Sequence, residues 1–137
     1  TIDPVALTDA GDYTVVVDNA AATPVTSDIA TLTVNPVAPT FTIQPTSQSV
    51  ADGGTATFNV FTTGTAPITW QWERSDDAGM TWNPITGEIN EVLTFTAYIV
   101  PDNGAMFRVV ATNSVSSTTS DEVTLTVSAP MSMPSPR

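Results

Sequence analysis

The side chains available for chemistry in this sequence are almost all carboxylates. Its 137 residues carry 14 Asp plus Glu against three Lys plus Arg, and His and Cys are absent. All three cations are arginine. Without His, Cys or Lys there is no ordinary general base near neutral pH, no activated thiol and no amine for a Schiff base or isopeptide cross-link; the usual zinc ligands are missing too. What remains is chemistry by paired carboxylates. Glu88 with Glu91 and Asp76 with Asp77 are the candidate pairs, yet both fall in segments that read as turns, where a solvated loop charge is the simpler role. Asp76, Asp77 and Asp102 are also candidate Ca²⁺ ligands, but no EF-hand loop or clustered Asp-x-Asp run supports such a site. The residues therefore predict a chain that is not an enzyme, with no catalytic site, no cofactor and no metal.

A net charge of −11 has consequences for partners. Such a surface repels nucleic acid and anionic membranes, whose phosphates would find too few cations to replace their counterions. No apolar run approaches the ~20 residues needed to span a bilayer as a helix. No Asn-x-Ser/Thr acceptor and no leader are visible, and any leader is expected upstream of Thr1. The Thr/Ser-rich, Val-rich, Lys-free balance suits an extracellular or cell-surface setting. With no cysteine, packing alone must hold the fold.

The elements that position these residues alternate with period two throughout. From Phe41 onward the strands can be read in order. Phe41 to Ile43 opens, and Ser47 to Val50 follows an interruption at Pro45. After the turn Asp52-Gly53-Gly54 come Ala56, Phe58 and Val60 on one face. Ile68, Trp70 and Trp72 share the next inward face. Ser75 to Gly79 turns the chain and Thr81 to Ile85 returns. Leu93, Phe95 and Ala97, then Phe107 and Val109, then Val123, Leu125 and Val127 complete the inward set. Seven or eight short strands in about 90 residues, with turn signals every 8–12, predict an all-β antiparallel sandwich.

The opening residues repeat the end of this pattern. Asp9 to Val15 lines up with Asp102 to Val109 after one insertion, Asp18-Asn19-Ala20 with Thr112-Asn113-Ser114, and Ala30 to Val34 with Val123 to Val127. The expected organisation is the last three strands of an incomplete domain at 1–35, a proline linker at 36–39, a complete domain at 40–127, and a Pro/Met-containing tail at 128–137. The half-domain would need strands from elsewhere, either from an upstream portion of the same polypeptide or by strand addition from an identical subunit in a fibrous assembly.

Two resemblances follow. Asp9-Ala10-Gly11-Asp12-Tyr13-Thr14-Val15 resembles the Asp-x-Gly-x-Tyr-x-Cys signature of immunoglobulin domains, with Val15 in the cysteine place. Val60, Trp72 and Val109 are similar to that family's Cys…Trp…Cys core, and Phe107 stands where its corner tyrosine would be. The whole resembles the cysteine-free immunoglobulin-like repeats of large bacterial surface and secreted proteins. This implies a core built on Val60, Trp72, Phe107 and Val109, with Tyr13 and Val15 their counterparts in the first segment. Ser75-Asp76-Asp77-Ala78-Gly79-Met80-Thr81-Trp82 resembles the Asp-box of sialidases and other β-proteins, through Ser75, Asp77, Gly79 and Trp82. The motif reads either as glycan contact through Trp82 or as a hairpin turn capped by its own side chains. The implied function is structural or adhesive: a repeat segment of an extracellular surface protein or filament, whose partners are other Ig-like domains or identical subunits. Alternatives are an accessory carbohydrate-binding module of a secreted enzyme, with surface glycan as partner, and an Ig-like decoration of a phage particle.

Overall fold

The computed structural model describes residues 1–130; the end of the expected tail lies outside them. The chain divides into two compact units, Thr1–Pro36 and Val37–Arg137.

The first unit opens with a 3₁₀ turn, Leu7–Asp9, followed by β1 (Gly11–Tyr13), β2 (Val16–Asn19), β3 (Ala22–Thr26) and β4 (Ala30–Leu32). β1 pairs with β4 and β2 with β3, both antiparallel. Three strands were expected here and four form, because the first is interrupted at Thr14 and Val15, so that its two parts, β1 and β2, pair with different partners. The second unit contains β5 (Thr40–Ile43), β6 (Gln48–Ala51), β7 (Thr55–Asn59), β8 (Phe61–Thr63), β9 (Thr69–Ser75), β10 (Asn83–Pro84), β11 (Val92–Thr96), β12 (Met106–Thr112), β13 (Ser117–Thr119) and β14 (Val123–Ser128). Its larger sheet runs β10-β9-β12-β14-β6, with β13 also on β12. The facing layer consists of the antiparallel pairs β7·β11 and β5·β8, which are continuous because β8 follows β7 after Val60. The expected return strand at Thr81–Ile85 is shorter: Asn83 and Pro84 pair with β9, and the Ile85 N–H then donates to the Trp72 carbonyl at 2.9 Å.

Period-two alternation explains what fills the space between the layers. Ala56 and Phe58 from β7, Trp72 from β9, Leu93 from β11, Phe107 and Val109 from β12, and Leu125 from β14 are buried, as is Val60 at the β7–β8 break. The Phe58 and Phe107 rings stack with centroids 5.0 Å apart, and Phe95 meets Phe107 at 5.4 Å. Trp72 lies 6.3 Å from Phe58, and its indole N–H donates to the Asn90 carbonyl at 2.9 Å. A buried ring of this kind contributes area, while its polar edge stays satisfied.

The segment expected to act as linker is partly built into the second unit. Val37 N–H donates to Thr65 Oγ1, Asn113 Nδ2 donates to the Val37 carbonyl, and Pro39 is fully buried. Gly64 is what admits it: a Cβ there would sit 2.9 Å from the Ala38 carbonyl oxygen, closer than real side chains approach.

Each unit forms the same corner, with one bond that differs. Tyr13↔Ala30 and Asp12↔Thr31 in the first correspond to Phe107↔Val123 and Met106↔Thr124 in the second. The Val15 N–H donates to Ser27 Oγ at 3.0 Å, and the Val109 N–H donates to Ser120 Oγ at 3.0 Å. Asn19 and Asn113 each accept at Oδ1 from the N–H two residues on. Tyr13 Oη donates to the Asp9 carbonyl at 2.7 Å, a bond that Phe107 cannot make. Tyr13 and Val15, expected as core, are nevertheless 42% and 60% exposed. Two hairpin-like pairs make one layer, and within residues 1–36 nothing supplies the second.

Candidate functional site

The Asp-box-like hairpin is organised around two side chains. Ser75, buried at the end of β9, accepts at Oγ from Gly79 N–H at 2.9 Å and donates to Asp77 Oδ1 at 2.8 Å. Asp77 Oδ1 also accepts from Thr81 N–H at 2.8 Å, and Oδ2 accepts from Thr81 Oγ1 at 2.6 Å. The chain can turn this tightly because Ala78 and Gly79 both take left-handed conformations, φ 58° and 85°; glycine does so without a steric penalty. Trp82 covers the turn. Its N–H donates to the Gly79 carbonyl at 3.1 Å, and the Arg108 guanidinium lies 4.2 Å from its ring centroid. Arg108 is held there by Glu73 at 2.7 Å and Glu122 at 3.7 Å. Trp82, the residue through which glycan contact was considered, is thus half-buried, with one face and its polar edge already occupied.

The hydrogen bonds from Thr81, side chain then backbone, and from Ser75 hold the Asp77 carboxyl down at about 2, below its usual 3.8. A lowered folded-state pKa means stability that is fully present above about pH 4 and lost as pH falls through about 2. We expect the Thr81 amide resonance to titrate with a midpoint near 2, and that low-pH transition to vanish in Asp77→Asn. A midpoint near 4 in the native protein would mean that Thr81 does not hold the carboxylate.

Three of the four carboxylates in the candidate pairs have partners of their own. Glu91 Oε1 accepts from Thr62 N–H and Oγ1 at 3.3 and 3.2 Å. Asp76 pairs with Arg74 Nε at 2.8 Å, while Asp77 serves its own turn. Asp102, the third candidate cation ligand, instead receives Arg74 Nη1 at 2.6 Å and Tyr98 N–H at 2.9 Å. Arg74 Nη2 donates to the Pro101 carbonyl at 3.0 Å. Burial works to lower the Arg74 pKa, and the bonds and charges of Asp102 and Asp76 outweigh it, so the guanidinium is held above its usual value. No cluster of three or more potential metal ligands occurs among the described residues.

This ion pair was missed in the sequence, although a signal was present. Arg74 has the parity of Trp70 and Trp72, so it points between the layers, and a cation there requires an acidic partner. Beside it is a cavity of about 170 Å³ lined by Arg74, Ile85, Glu88, Leu93, Phe95 and Phe107.

Residues 41–129 match the family model described as "Domain of unknown function (DUF8696)". No curated protein matches the sequence. Among solved structures, Sidekick-1 immunoglobulin domains 1–5 are similar at TM-score 0.67 and 22% identity, over 92% of this chain and 26% of that one. A chimeric titin Z1Z2-Z1Z2 tandem functionalized with a GRGDS peptide from fibronectin gives 0.55 and 27%, over 91% and 68%. The N-terminal eight Ig domains of Down Syndrome Cell Adhesion Molecule give 0.60 and 16%, over 72% and 15%. The chain thus spans about a quarter of the Sidekick-1 chain it resembles. Together with the strand order, these likenesses make the fold an immunoglobulin-like β-sandwich.

Proposed function

The chain belongs to the DUF8696 family, a domain of unknown function, and from that premise we propose that it is a non-catalytic, tension-resisting segment of a tandem Ig-like array on an extracellular surface protein or filament. The observation that carries this reading is the pairing of β6 with β14. β6 is the second strand of the second unit, after β5, and β14 is its last; the two run parallel, with Leu125↔Gln48 through Ser128↔Ala51 in register. Tension on the ends pulls parallel neighbours in opposite directions along their common axis. The connecting hydrogen bonds are then loaded together in shear instead of being peeled one at a time.

The repeated corner supports an array, and the exposed Tyr13 and Val15 support completion of the first unit by further strands, from the same polypeptide or a neighbouring copy. The cysteine-free sequence supports a bacterial-type repeat. The glycan-binding alternative loses its main support, because Trp82 is engaged by Arg108 and Gly79.

Single-molecule stretching tests the proposal. Pulled through its ends, the second unit should open in one step that releases roughly 300 Å of chain, at about 3.3–3.6 Å per residue. The same unit held through cysteines replacing Thr69 and Thr112 (neighbours across the end of an antiparallel pair) should open by peeling at a lower force. Equal forces in the two geometries would overturn the proposal.

A further inference from the structure

Strand β11 is an open edge above a ready-made cavity. It pairs with β7 on one side, and no strand of the described residues pairs with the other. The phase of the ladder identifies its free groups. Val60 N–H donates to the Glu91 carbonyl and Ala97 N–H to the Gly54 carbonyl, on the same register as Leu93↔Phe58 and Phe95↔Ala56. Bonded pairs recur at every second residue of an antiparallel ladder. Leu93 and Phe95 therefore direct their backbone groups to β7, while Val92, Thr94 and Thr96 direct theirs to the open side.

Natural sheet edges are blunted by charge, proline, bulges or brevity. The edge at β10 is two residues long and carries Pro84. β11 reads Val-Leu-Thr-Phe-Thr: five strand-forming residues with no charge, proline or glycine. The chain passes directly from β10 to β11 through residues 85–91, so no intervening strand closes this side of the sandwich. That gap is where the cavity lies, between Leu93 and Phe95 of one layer and Arg74 and Phe107 of the other.

We propose that the β11 edge binds an extended segment of another polypeptide by strand addition, with one aromatic or leucine side chain of that segment seated in the cavity. A residue of the added strand opposite Leu93 or Phe95 points to the same face as they do, which is inward, to the cavity. A cavity of about 170 Å³ is slightly larger than the roughly 150 Å³ apolar cavity known to take benzene, so a single ring or a leucine fits. Charge selects the partner. Arg74 and Arg108 are both consumed by carboxylates, Glu88 stands on the cavity wall, and the chain carries −11. Two copies meeting edge to edge would repel, whereas a segment with basic flanks is attracted. The inference does not depend on the tension-resisting role.

The test is titration of isotopically labelled protein with the peptide Lys-Thr-Phe-Thr-Leu-Thr-Lys, blocked at both ends. The Val92, Thr94 and Thr96 amides should shift and become protected from exchange. The peptide with Ala replacing both Phe and Leu should bind at least about tenfold more weakly. Thr94→Pro removes an outward N–H and leaves the backbone bonds to β7 in place, losing only the Thr94 Oγ1–Thr57 Oγ1 bond, and it should weaken binding by a similar factor. If that variant does not fold, peptide N-methylated at the amides facing β11 takes its place and should bind equally poorly. Absence of binding near 1 mM, shifts centred on the Trp82 hairpin, or undiminished binding by Thr94→Pro or the N-methylated peptide would overturn the proposal. Self-association of the protein that Thr94→Pro abolishes would replace the partner with a second copy.

Discussion

Trp72→Ala should destabilise the second unit by about 3–5 kcal/mol, the range for removing a large aromatic from a packed core. Three features place it in the upper part of that range. The side chain is fully buried. It lies against Phe58, whose ring is itself stacked on Phe107, so the cavity opens in the centre of the aromatic cluster, where collapse is hardest. Its N–H also satisfies the Asn90 carbonyl at 2.9 Å, which helps hold the crossing from β10 to β11. Domains of this size are stable by only about 5–15 kcal/mol, so the variant should be marginal or unfolded. Trp70→Ala is the control: it is half-buried, and its N–H reaches Thr62 Oγ1 at 3.1 Å, so its loss should cost about 1–2 kcal/mol. Urea unfolding measures both, as a shift in midpoint at unchanged slope. A loss below about 1 kcal/mol for Trp72→Ala would mean that the centre of the core lies elsewhere.

The fold class was legible because a sandwich writes its two faces into the sequence as alternation, and its turns as Gly, Pro and Asp clusters. Ala56-Phe58 and Phe107-Val109 show this directly. What alternation cannot tell is whether a second layer exists to cover a face. Tyr13 and Val15 have the same pattern as Phe107 and Val109, and even the same corner hydrogen bonds, yet they remain exposed. The hairpin was legible for the opposite reason: Ser75, Asp77, Gly79 and Thr81 act within a few residues of one another, so their spacing contains the geometry. Arg108 over Trp82 and Arg74 on Asp102 were not legible. These contacts join residues 26 to 28 positions apart, brought together by strand register, and no local spacing announces them. The open edge at β11 left a faint trace, in that no strand-like run lies between Pro84 and Val92.

Asp102→Ala should cost about 2–3 kcal/mol, although Asp102 is a polar residue on a turn. Its carboxylate is buried, with 6% exposure, and it ties three things together: the Arg74 guanidinium at 2.6 Å, the Tyr98 N–H at 2.9 Å and the helical turn Ile99–Asp102. Breaking a buried pair by deleting one partner typically costs about 3–5 kcal/mol, because the other charge is left desolvated. The lower figure here reflects the 22% exposure of the Arg74 side chain and its remaining bond to Asp76, since solvent and a second carboxylate relieve part of the penalty. Asp102→Asn retains an acceptor for Tyr98 but loses the charge, so it should fall between the alanine variant and the native protein. Asp76→Ala removes a partner that is itself 62% exposed and should change stability by no more than about 0.5 kcal/mol. The decisive measurement is a double-mutant cycle. With Arg74 already replaced by Met, there is no buried cation to strand, and Asp102→Ala should become cheaper by about 1–2 kcal/mol. If Asp102→Ala costs the same with Arg74 present or absent, the carboxylate acts only by capping the turn, and the ion pair contributes nothing of its own.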